Sequence, residues 1–206
     1  MCWSDTKFCY LGDMIGAGGG AGDASRTRVR CAWGKFNELK PVLAERGTSL
    51  NLKGKIYKAC VQSVFIYGSE TWPLKEEDAR RLERNEMWMV RRMCGVKLSD
   101  RKRSEYLRSR LGIECVVEMV RRGRLRWFGH VERMVGGEWV SACRNVKVEG
   151  KGCKGRPRKT WLECVKDDMK ELNLKPKMAQ NRARWREYIH GTRPTPVVRD
   201  KRTLRR

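Results

Sequence analysis

The sequence contains few histidines and no closely spaced pair of cysteines. Its two histidines, His130 and His190, lie 60 positions apart, and no Cys-x-x-C motif occurs. Structural zinc sites normally show such close ligand pairs. A zinc site would therefore have to be assembled from distant residues such as Cys143, Cys153 and Cys164, and we expect no metal and no other cofactor.

Long apolar runs are also missing. No segment reaches the about 18 residues that a membrane span requires, and residues 1–10 lack the basic region and apolar stretch of a signal peptide. The nine cysteines are an odd number, scattered through a chain that is large enough to fold without disulfides. We therefore expect a nuclear or cytoplasmic protein with reduced thiols, which is not secreted and does not bind membranes.

Acidic residues are scarce compared with basic ones. Asp and Glu number 24 against 47 Lys and Arg, and the net charge is +23. Successive stretches of about fifty residues carry +2, +3, +6 and +12, so the excess rises towards the C-terminus. A gradient of this kind indicates a polyanionic partner, most simply nucleic acid.

No catalytic group can be recognised in the sequence. Asp167 and Asp168 are adjacent in a predicted helix, where neighbouring side chains point about 100° apart, so we interpret them as salt-bridging residues rather than metal ligands. The acids at 76–78 begin a predicted helix, and negative charge is stabilised at the positive N-terminal end of a helix dipole. His130 has no neighbouring Cys or His, which favours a structural role. The glycine-rich run 16–22 lacks the Gly-Lys-Ser/Thr ending of a Walker loop and is predicted to form a turn.

What is present is mostly helical periodicity. Residues 7–15 are predicted to form a strand, and Asp23 or Ser25 could cap a helix that begins near Arg26. Gly68 and Gly112 are expected to end helices. Apolar residues recur at helical spacing over residues 26–45, 52–67, 76–93, 104–111, 114–134, a segment from Pro157, and 177–189. Opposite the apolar stripe of the helix at 76–93 lie Arg80, Arg84 and Arg91.

The strongest basic and aromatic mixture lies at residues 121–133. Guanidinium groups match phosphates in bidentate geometry, and few acids are close in sequence to neutralise them. The alternative is an ordinary solvated helix face. Trp127 falls on the apolar stripe and is predicted to lie in the core. The predicted phosphate contacts of this helix are Arg121, Arg122, Arg124, Arg126 and Arg133.

A second basic segment surrounds Pro157. A Gly-Arg-Pro core at residues 155–157 can lie in a narrow A·T minor groove. The alternative, which we favour, is a basic linker leading into a helix that starts with proline, with phosphate contact as an additional role. The basic residues of this segment are Lys154, Arg156, Arg158 and Lys159.

The order of motifs resembles the C-terminal part of non-LTR retrotransposon (LINE-type) endonuclease–reverse transcriptases. The resemblance covers residues 7 to about 190 and rests on six weak motifs in the family order. They are Phe-Cys-Tyr-Leu-Gly at 8–12, Lys-Ile-Tyr-Lys at 55–58, Tyr-Gly-Ser-Glu-Thr-Trp at 67–72, Asp-Arg at 100–101, the Arg-Trp-Phe-Gly-His helix at 124–134, and Gly-Arg-Pro-Arg-Lys-Thr-Trp at 155–161 with the helix after it. The residues that we assign to these motifs as structural positions are Tyr10, Gly12, Tyr67, Gly68, Trp72, Trp127, His130, Trp161 and Trp185.

The resemblance implies a division of the chain. Residues 1–22 correspond to the end of the polymerase palm and a turn, 23–135 to a thumb-like helical region, 136–156 to a linker, 157–191 to a basic helical region, and 192–206 to a disordered basic tail. The fold class is therefore mainly α, a helical bundle with a short N-terminal β-strand or hairpin. Such regions are taken to hold template RNA and target DNA.

The family's catalytic aspartates precede the Phe-x-Tyr-Leu-Gly strand, and only Asp5 does so here. We therefore expect a nucleic-acid-binding fragment that is inactive alone, with Mg²⁺ used only by the full-length family enzyme. The alternative is a domesticated, free-standing DNA-binding or scaffolding protein derived from such an element. The genomic sequence upstream of Met1 would discriminate the two.

Overall fold

The computed structural model describes residues 7–10, 13–16, 21–134 and 159–191. Two short strands, β1 (Lys7–Tyr10) and β2 (Asp13–Gly16), pair antiparallel with Phe8 opposite Ile15. The stretch predicted as one strand is thus divided into a hairpin. The rest of the described chain is mainly helical, which confirms the predicted mainly α class with a short N-terminal hairpin.

Nine α-helices follow the hairpin in the described residues. They are α1 (Gly22–Glu38), α2 (Lys40–Leu43), α3 (Leu50–Ile56), α4 (Ser63–Ile66), α5 (Glu76–Cys94), α6 (Ser104–Leu111), α7 (Val116–Arg133), α8 (Trp161–Glu171) and α9 (Arg182–His190). A π-helical segment, Tyr57–Gln62, joins α3 to α4 without a break. Short 3₁₀ turns occur at Ser69–Thr71, Leu98–Asp100 and Pro176–Gln180.

Helices α5 and α6 begin at Glu76 and Ser104 as predicted, but several other helix starts differ. Helix α1 begins at Gly22 rather than near Arg26, and neither Asp23 nor Ser25 caps it; the Ser25 hydroxyl donates to the Gly22 carbonyl instead, at 3.0 Å. Helix α8 begins at Trp161, because the Thr160 side chain accepts a hydrogen bond from the Glu163 backbone N–H and forms a capping box. Pro157, where this helix was predicted to start, lies outside the described residues.

Gly68 and Gly112 end helical segments as predicted. Their φ angles are 72° and 63°, in the left-handed region that residues with a Cβ rarely adopt. At Gly68 the reversal leads directly into the Ser69–Thr71 turn, which packs against α7. This turn brings the predicted 67–72 motif next to the arginine helix.

Two apolar clusters form the core of the described chain. The first is built mainly from α1 and the segments up to the start of α7, with Phe36, Tyr57 and Phe65 fully buried. The second joins the later part of α7 to α8 and α9 through Leu125, Phe128, Val165, Met169, Ala179, Trp185 and Ile189. Helix α7 contributes to both clusters, so the C-terminal helices are anchored to the same helix as the bundle.

A buried carboxylate connects the middle helices of the first cluster. Glu86 of α5 is fully buried and accepts hydrogen bonds from Arg108 of α6 at 3.0 and 3.1 Å and from the Val116 backbone N–H at 3.0 Å. The Gln62 amide also donates to it, at 3.4 Å. Because a charge is costly to bury without such partners, this network fixes where α7 starts relative to α5 and α6.

Candidate nucleic-acid interface

Two of the motifs quoted above, at 67–72 and 124–134, meet at α7 together with Trp161 of a third. Arg124 donates from Nη1 to the Trp72 carbonyl at 2.8 Å, and the Trp161 indole donates to the Glu70 carbonyl, also at 2.8 Å. The 67–72 segment is thereby held from two sides, by α7 and by the first residue of α8. These contacts join residues about fifty to ninety positions apart, so only the tertiary structure brings the motifs into one place.

Helix α9 lies close against α7 because Gly129 has no side chain. A Cβ at this position would stand 2.3 Å from the Trp185 Nε1 atom. That nitrogen donates to the Leu125 carbonyl at 3.0 Å, and the Trp185 ring lies 6.2 Å from the Phe128 ring. Trp185 is therefore buried between the two helices and sets the distance between them.

A groove of about 810 Å³ runs between α7, α9 and the turn at 68–71. We call it the α7–α9 groove. Its charged lining is mostly basic, since Glu70 is the one acid among the residues that line it. The basic and aromatic side chains that line it are Arg126, Trp127, His130, Arg133, Arg182, Trp185, Arg186 and His190.

The arginines of this groove are only partly neutralised. Arg126 is 66% exposed and lies 3.6 Å from Glu70, a loose contact. Arg182 and Arg186 are exposed, and within the part of the chain that the structure describes neither forms an ion pair. Burial and then the nearby positive charge of Arg182 lower the pKa of Arg133. Crowding of like charges in this way favours the arrival of an anion.

Trp127 belongs to the groove and not to the core, so the core prediction is wrong. It is half-buried and lies in neither apolar cluster, whereas the next residue, Phe128, is 4% exposed and packs between Trp161 and Trp185. The apolar stripe of α7 is rotated by one residue because α8 and α9 approach the helix on the side of Phe128. His130, for which the sequence favours a structural role, is exposed with its ring 5.4 Å from that of Trp127.

Arg122 and His190 meet at one end of the groove. The Arg122 guanidinium forms a short ion pair with Glu114 and lies 3.4 Å from His190 Nδ1. Burial, followed by the charges of Arg122 and Arg186, lowers the pKa of His190. The neutral imidazole can accept the Arg122 hydrogen bond through Nδ1.

Arg124 is buried, and its prediction as a phosphate contact must be corrected. It is 3% exposed and donates from Nε to Asp168 Oδ2 at 2.7 Å, in addition to its bond with Trp72. Burial raises the pKa of Asp168 although the Arg124 hydrogen bond opposes it. Arg124 faces inward because α8 covers that side of α7, so no nucleic acid can reach its guanidinium.

The other predicted arginines have acidic or backbone partners. Arg121 pairs with Glu118 at 3.3 Å and with Glu171 at 3.0 Å, and Arg133 donates to the Ala179 carbonyl at 2.6 Å. The expectation that few acids lie nearby was based on local sequence. It is wrong because Glu114 and Glu118 lie within one or two helical turns of their arginine partners, and α8 brings Asp168 and Glu171 from about fifty positions away.

The basic segment around Pro157 is described only from Lys159. Lys159 lies 2.5 Å from Asp167 and does not line the groove. Asp167 and Asp168 are thus salt-bridging residues, as predicted, and their partners are Lys159 and Arg124. Lys154, Arg156, Arg158 and the motif residue Gly12 lie outside the described residues.

Three further motif residues do not line the groove: Tyr10 and Tyr67 are exposed elsewhere, and Trp72 is buried. Tyr10 is exposed and stacks on Phe8 at 6.4 Å. Tyr67 is exposed beneath the Arg28 guanidinium, which lies 4.2 Å from the ring centre. Trp72 is 2% exposed and is part of the first apolar cluster.

Sequence reasoning missed Arg182 and Arg186 as groove residues. The sequence does carry a signal for a shared helix face, since Arg182 and Arg186 lie four positions apart on α9 on either side of the buried Trp185. Side chains at this spacing lie on one face of a helix. Their proximity to Arg126 and Arg133 could not be inferred, because it depends on how α9 packs on α7.

Neither a metal site nor a membrane segment is found among the described residues. No group of three or more His, Cys, Asp or Glu side chains there could hold a metal ion. Of the cysteines considered for zinc, Cys164 is buried with its thiol near the Leu74 carbonyl, and Cys143 and Cys153 lie outside the described ranges. No helix in the described part is both long and apolar enough to cross a bilayer.

Comparison with known proteins gives a distant relative. A transposon-derived protein of Caenorhabditis elegans, itself uncharacterised, is 23% identical over 168 residues, which cover 79% of this chain and 60% of the relative. This chain therefore spans about 60% of the length of that relative. No family model matches the sequence, and no solved structure matches it. The similarity indicates a transposon-related origin.

Proposed function

We propose that this chain is a nucleic-acid-binding part of a reverse-transcriptase-like transposon protein, and that the α7–α9 groove holds a sugar–phosphate backbone. The observation that carries the proposal is the set of four arginines from two helices, Arg126, Arg133, Arg182 and Arg186, that line one groove with a single acid. Template RNA and target DNA are the partners that the motif resemblance suggests. The transposon-derived relative supports the same origin.

The shape and charge of the groove favour a polymer over a small phosphate metabolite. The arginines of the groove are spread over two helices instead of converging on one buried point. Arginine neutralises backbone phosphates and releases condensed counterions, a contribution that needs no particular base sequence. We therefore propose binding with steep salt dependence and little sequence preference.

The chain is proposed to act in binding and not in catalysis. The groove contains one acidic side chain, Glu70, whereas two-metal polymerase chemistry requires several carboxylates around its ions. The exposed face of the hairpin, with Phe8 and Tyr10, fits the end of a larger palm sheet in the resemblance. A full-length parent would supply the palm and the endonuclease.

The test compares two triple variants with equal charge. One carries Arg126→Gln, Arg182→Gln and Arg186→Gln; the control carries Arg30→Gln, Arg46→Gln and Arg184→Gln, three exposed arginines outside the groove. Arg184 lies on α9 itself, two positions from each groove arginine. Affinity for a labelled 20-base-pair duplex and for a single strand of equal length is measured against salt concentration.

We expect the groove variant to weaken binding about tenfold or more and to make the log–log salt slope shallower by about 2 to 3, since each phosphate contact contributes about 0.9 on B-DNA. The control variant should remain within about twofold of the unmodified chain. Equal losses in both variants would show that diffuse net charge, and not the groove, is responsible.

A further inference from the structure

We infer that a second surface, centred on Trp88 of α5, binds an unpaired base of a single-stranded nucleic acid. Trp88 is 53% exposed, which leaves a large apolar ring in water. It lines a shallow groove of about 620 Å³ together with Arg80, Arg84, Arg91 and Leu98. None of these residues lines the α7–α9 groove, so the site is additional to the one on which the proposed function rests.

The arginines of this surface are placed in line with the indole ring. Arg80, Arg84, Trp88 and Arg91 follow one another at spacings of four, four and three residues, so they share one face of α5. At about 1.5 Å per residue the row is about 16 Å long. A stacked strand advances about 3.4 Å per nucleotide, so the row can accompany about four or five phosphates.

The loop after α5 adds more positive charge beside Trp88. Arg91 donates from its guanidinium to the carbonyls of Lys97 and Lys102, at 3.3 and 3.2 Å, and so holds the loop against the helix. The loop exposes four basic residues, Lys97, Arg101, Lys102 and Arg103, and one acid, Asp100, whose carboxylate accepts the Lys97 backbone N–H at 2.8 Å. Leu98 in the same loop is 69% exposed. The loop backbone is therefore fixed while its cationic side chains face solvent.

Acids near this surface are engaged elsewhere or weakly paired. Glu83 forms an ion pair with Arg108 at 3.2 Å, and the contact of Arg80 with Glu76 joins two side chains that are each at least 70% exposed. Ion pairs that exposed are weak and give way to a stronger anion. Arg84 forms no ion pair within the described ranges.

The combination of a flat exposed ring and aligned cations fits single-stranded nucleic acid better than an acidic protein segment. Aspartate and glutamate side chains would meet the arginines but offer nothing that stacks on an indole. In a single strand the phosphates meet the arginines while an unpaired base covers Trp88, whereas in a duplex the bases are already stacked on one another. The occupant is therefore a strand with unpaired bases.

The test uses the full chain and three probes of equal length: a single-stranded oligonucleotide, its abasic counterpart, which keeps the phosphates but has no bases, and a blunt duplex. Trp88→Ala should weaken binding of the normal single strand about tenfold, as loss of one base–aromatic stack does, and leave the abasic strand and the duplex within about twofold. Trp88→Phe should restore most of the loss. Phe8→Ala, which removes a 65% exposed ring from the hairpin, is the matched control and should change nothing.

The outcomes separate this site from the α7–α9 groove. The groove variant should weaken all three probes, whereas Trp88→Ala should weaken one. Equal losses for normal and abasic strands, or no loss at all, would overturn the stacking site and leave the groove proposal intact. Binding of a poly-glutamate peptide that Trp88→Ala abolishes, with oligonucleotide binding unchanged, would also overturn it, in favour of a protein partner.

Photocrosslinking provides a direct readout. A single strand that carries 5-iodouracil should crosslink to the tryptic peptide 85–91, in which Trp88 is the one aromatic residue. Crosslinks confined to other peptides would contradict the inference.

Discussion

Arg124 and Arg126 lie two positions apart on α7 and face opposite sides of it. Two helical steps turn a side chain by about 200°, so one guanidinium meets Asp168 in the interior and the other meets solvent at the groove. Local sequence does not distinguish them, since both lie in the same basic run. Their roles are separated by what packs on each side of the helix.

The buried pair gives the first prediction. Arg124→Ala should lower the free energy of unfolding by about 3–5 kcal/mol, because it leaves Asp168 buried without its cation. Chemical denaturation measures this loss. Arg126→Ala should cost less than about 1 kcal/mol, since Arg126 is exposed and its contact with Glu70 is loose. A stable Arg124→Ala chain with impaired binding would show that Arg124 does contact nucleic acid after all.

The second prediction compares neighbouring aromatic residues. Phe128→Ala should destabilise the fold by about 3–5 kcal/mol, because Phe128 is 4% exposed between two tryptophans. Trp127→Ala should cost about 1 kcal/mol, since it is half-buried and outside both clusters, and should instead weaken nucleic-acid binding. Thermal melting and affinity measurements on both variants check this. A greater loss of stability for Trp127→Ala than for Phe128→Ala would show that Trp127 belongs to the core after all.

The third prediction concerns pH and His190. Burial and neighbouring arginines lower the pKa of this imidazole, so it is neutral near neutral pH. A phosphate in the groove would favour the protonated ring, hence binding takes up a proton and the affinity should rise a few-fold as the pH falls from about 7.5 to about 5.5. His190→Gln should flatten this dependence. Identical pH profiles for the two chains would exclude His190 from the binding surface.

At the scale of elements, α7 organises the molecule because both apolar clusters and the groove share it. Its first turns, with Val116 and Val120, pack into the bundle, and its later turns, with Leu125 and Phe128, carry α8 and α9. Gly129 permits the close approach of α9 at the point where the groove forms. The groove therefore depends on a glycine that contacts no ligand.

The fourth prediction tests this close approach. Gly129→Ala should destabilise the fold by about 1–3 kcal/mol, because the new Cβ would stand 2.3 Å from the hydrogen-bonded Trp185 nitrogen. Gly34→Ala is the matched control in α1, where nothing lies within 4 Å, and it should stabilise by about 0.5–1 kcal/mol through helix propensity. Denaturation curves measure both. A neutral Gly129→Ala would mean that α9 does not lie this close to α7.

At the scale of the whole molecule, the balance of positive charge and carboxylates is the dominant feature. The net charge of +23 draws polyanions to it, yet most acids in the described chain are used in ion pairs with nearby basic residues or, like Glu86, buried inside the fold. No described group of acids is placed to hold metal ions. The chain therefore keeps an excess of positive charge that its own acids do not neutralise.

The fifth prediction follows at this scale. Purified chain with an annealed primer–template, dNTPs and Mg²⁺ should give no primer extension above buffer, because two-metal catalysis needs a carboxylate centre. A gel assay of extension products measures this, with an active reverse transcriptase as the positive control. Extension that a chelator abolishes would show that the chain is an enzyme.

The sequence by itself determined the helical class, most helix ends and the basic character of the chain. These properties are local or additive: apolar spacing selects a helix, a glycine such as Gly68 supplies the left-handed φ that ends one, and charges sum whatever the fold. The motif glycines and tryptophans could be recognised for the same reason, because each signal lies within a few residues.

Only the tertiary structure decided which basic residues are available. Asp168, which removes Arg124 from the surface, lies 44 positions away, and Arg182 and Arg186 join Arg126 across a contact that Gly129 permits. The apolar stripe of α7 passes through Phe128 instead of Trp127 because α8 and α9 cover that side. Periodicity shows that a helix has two faces, but packing between distant segments determines which face becomes the core and which remains open to a ligand.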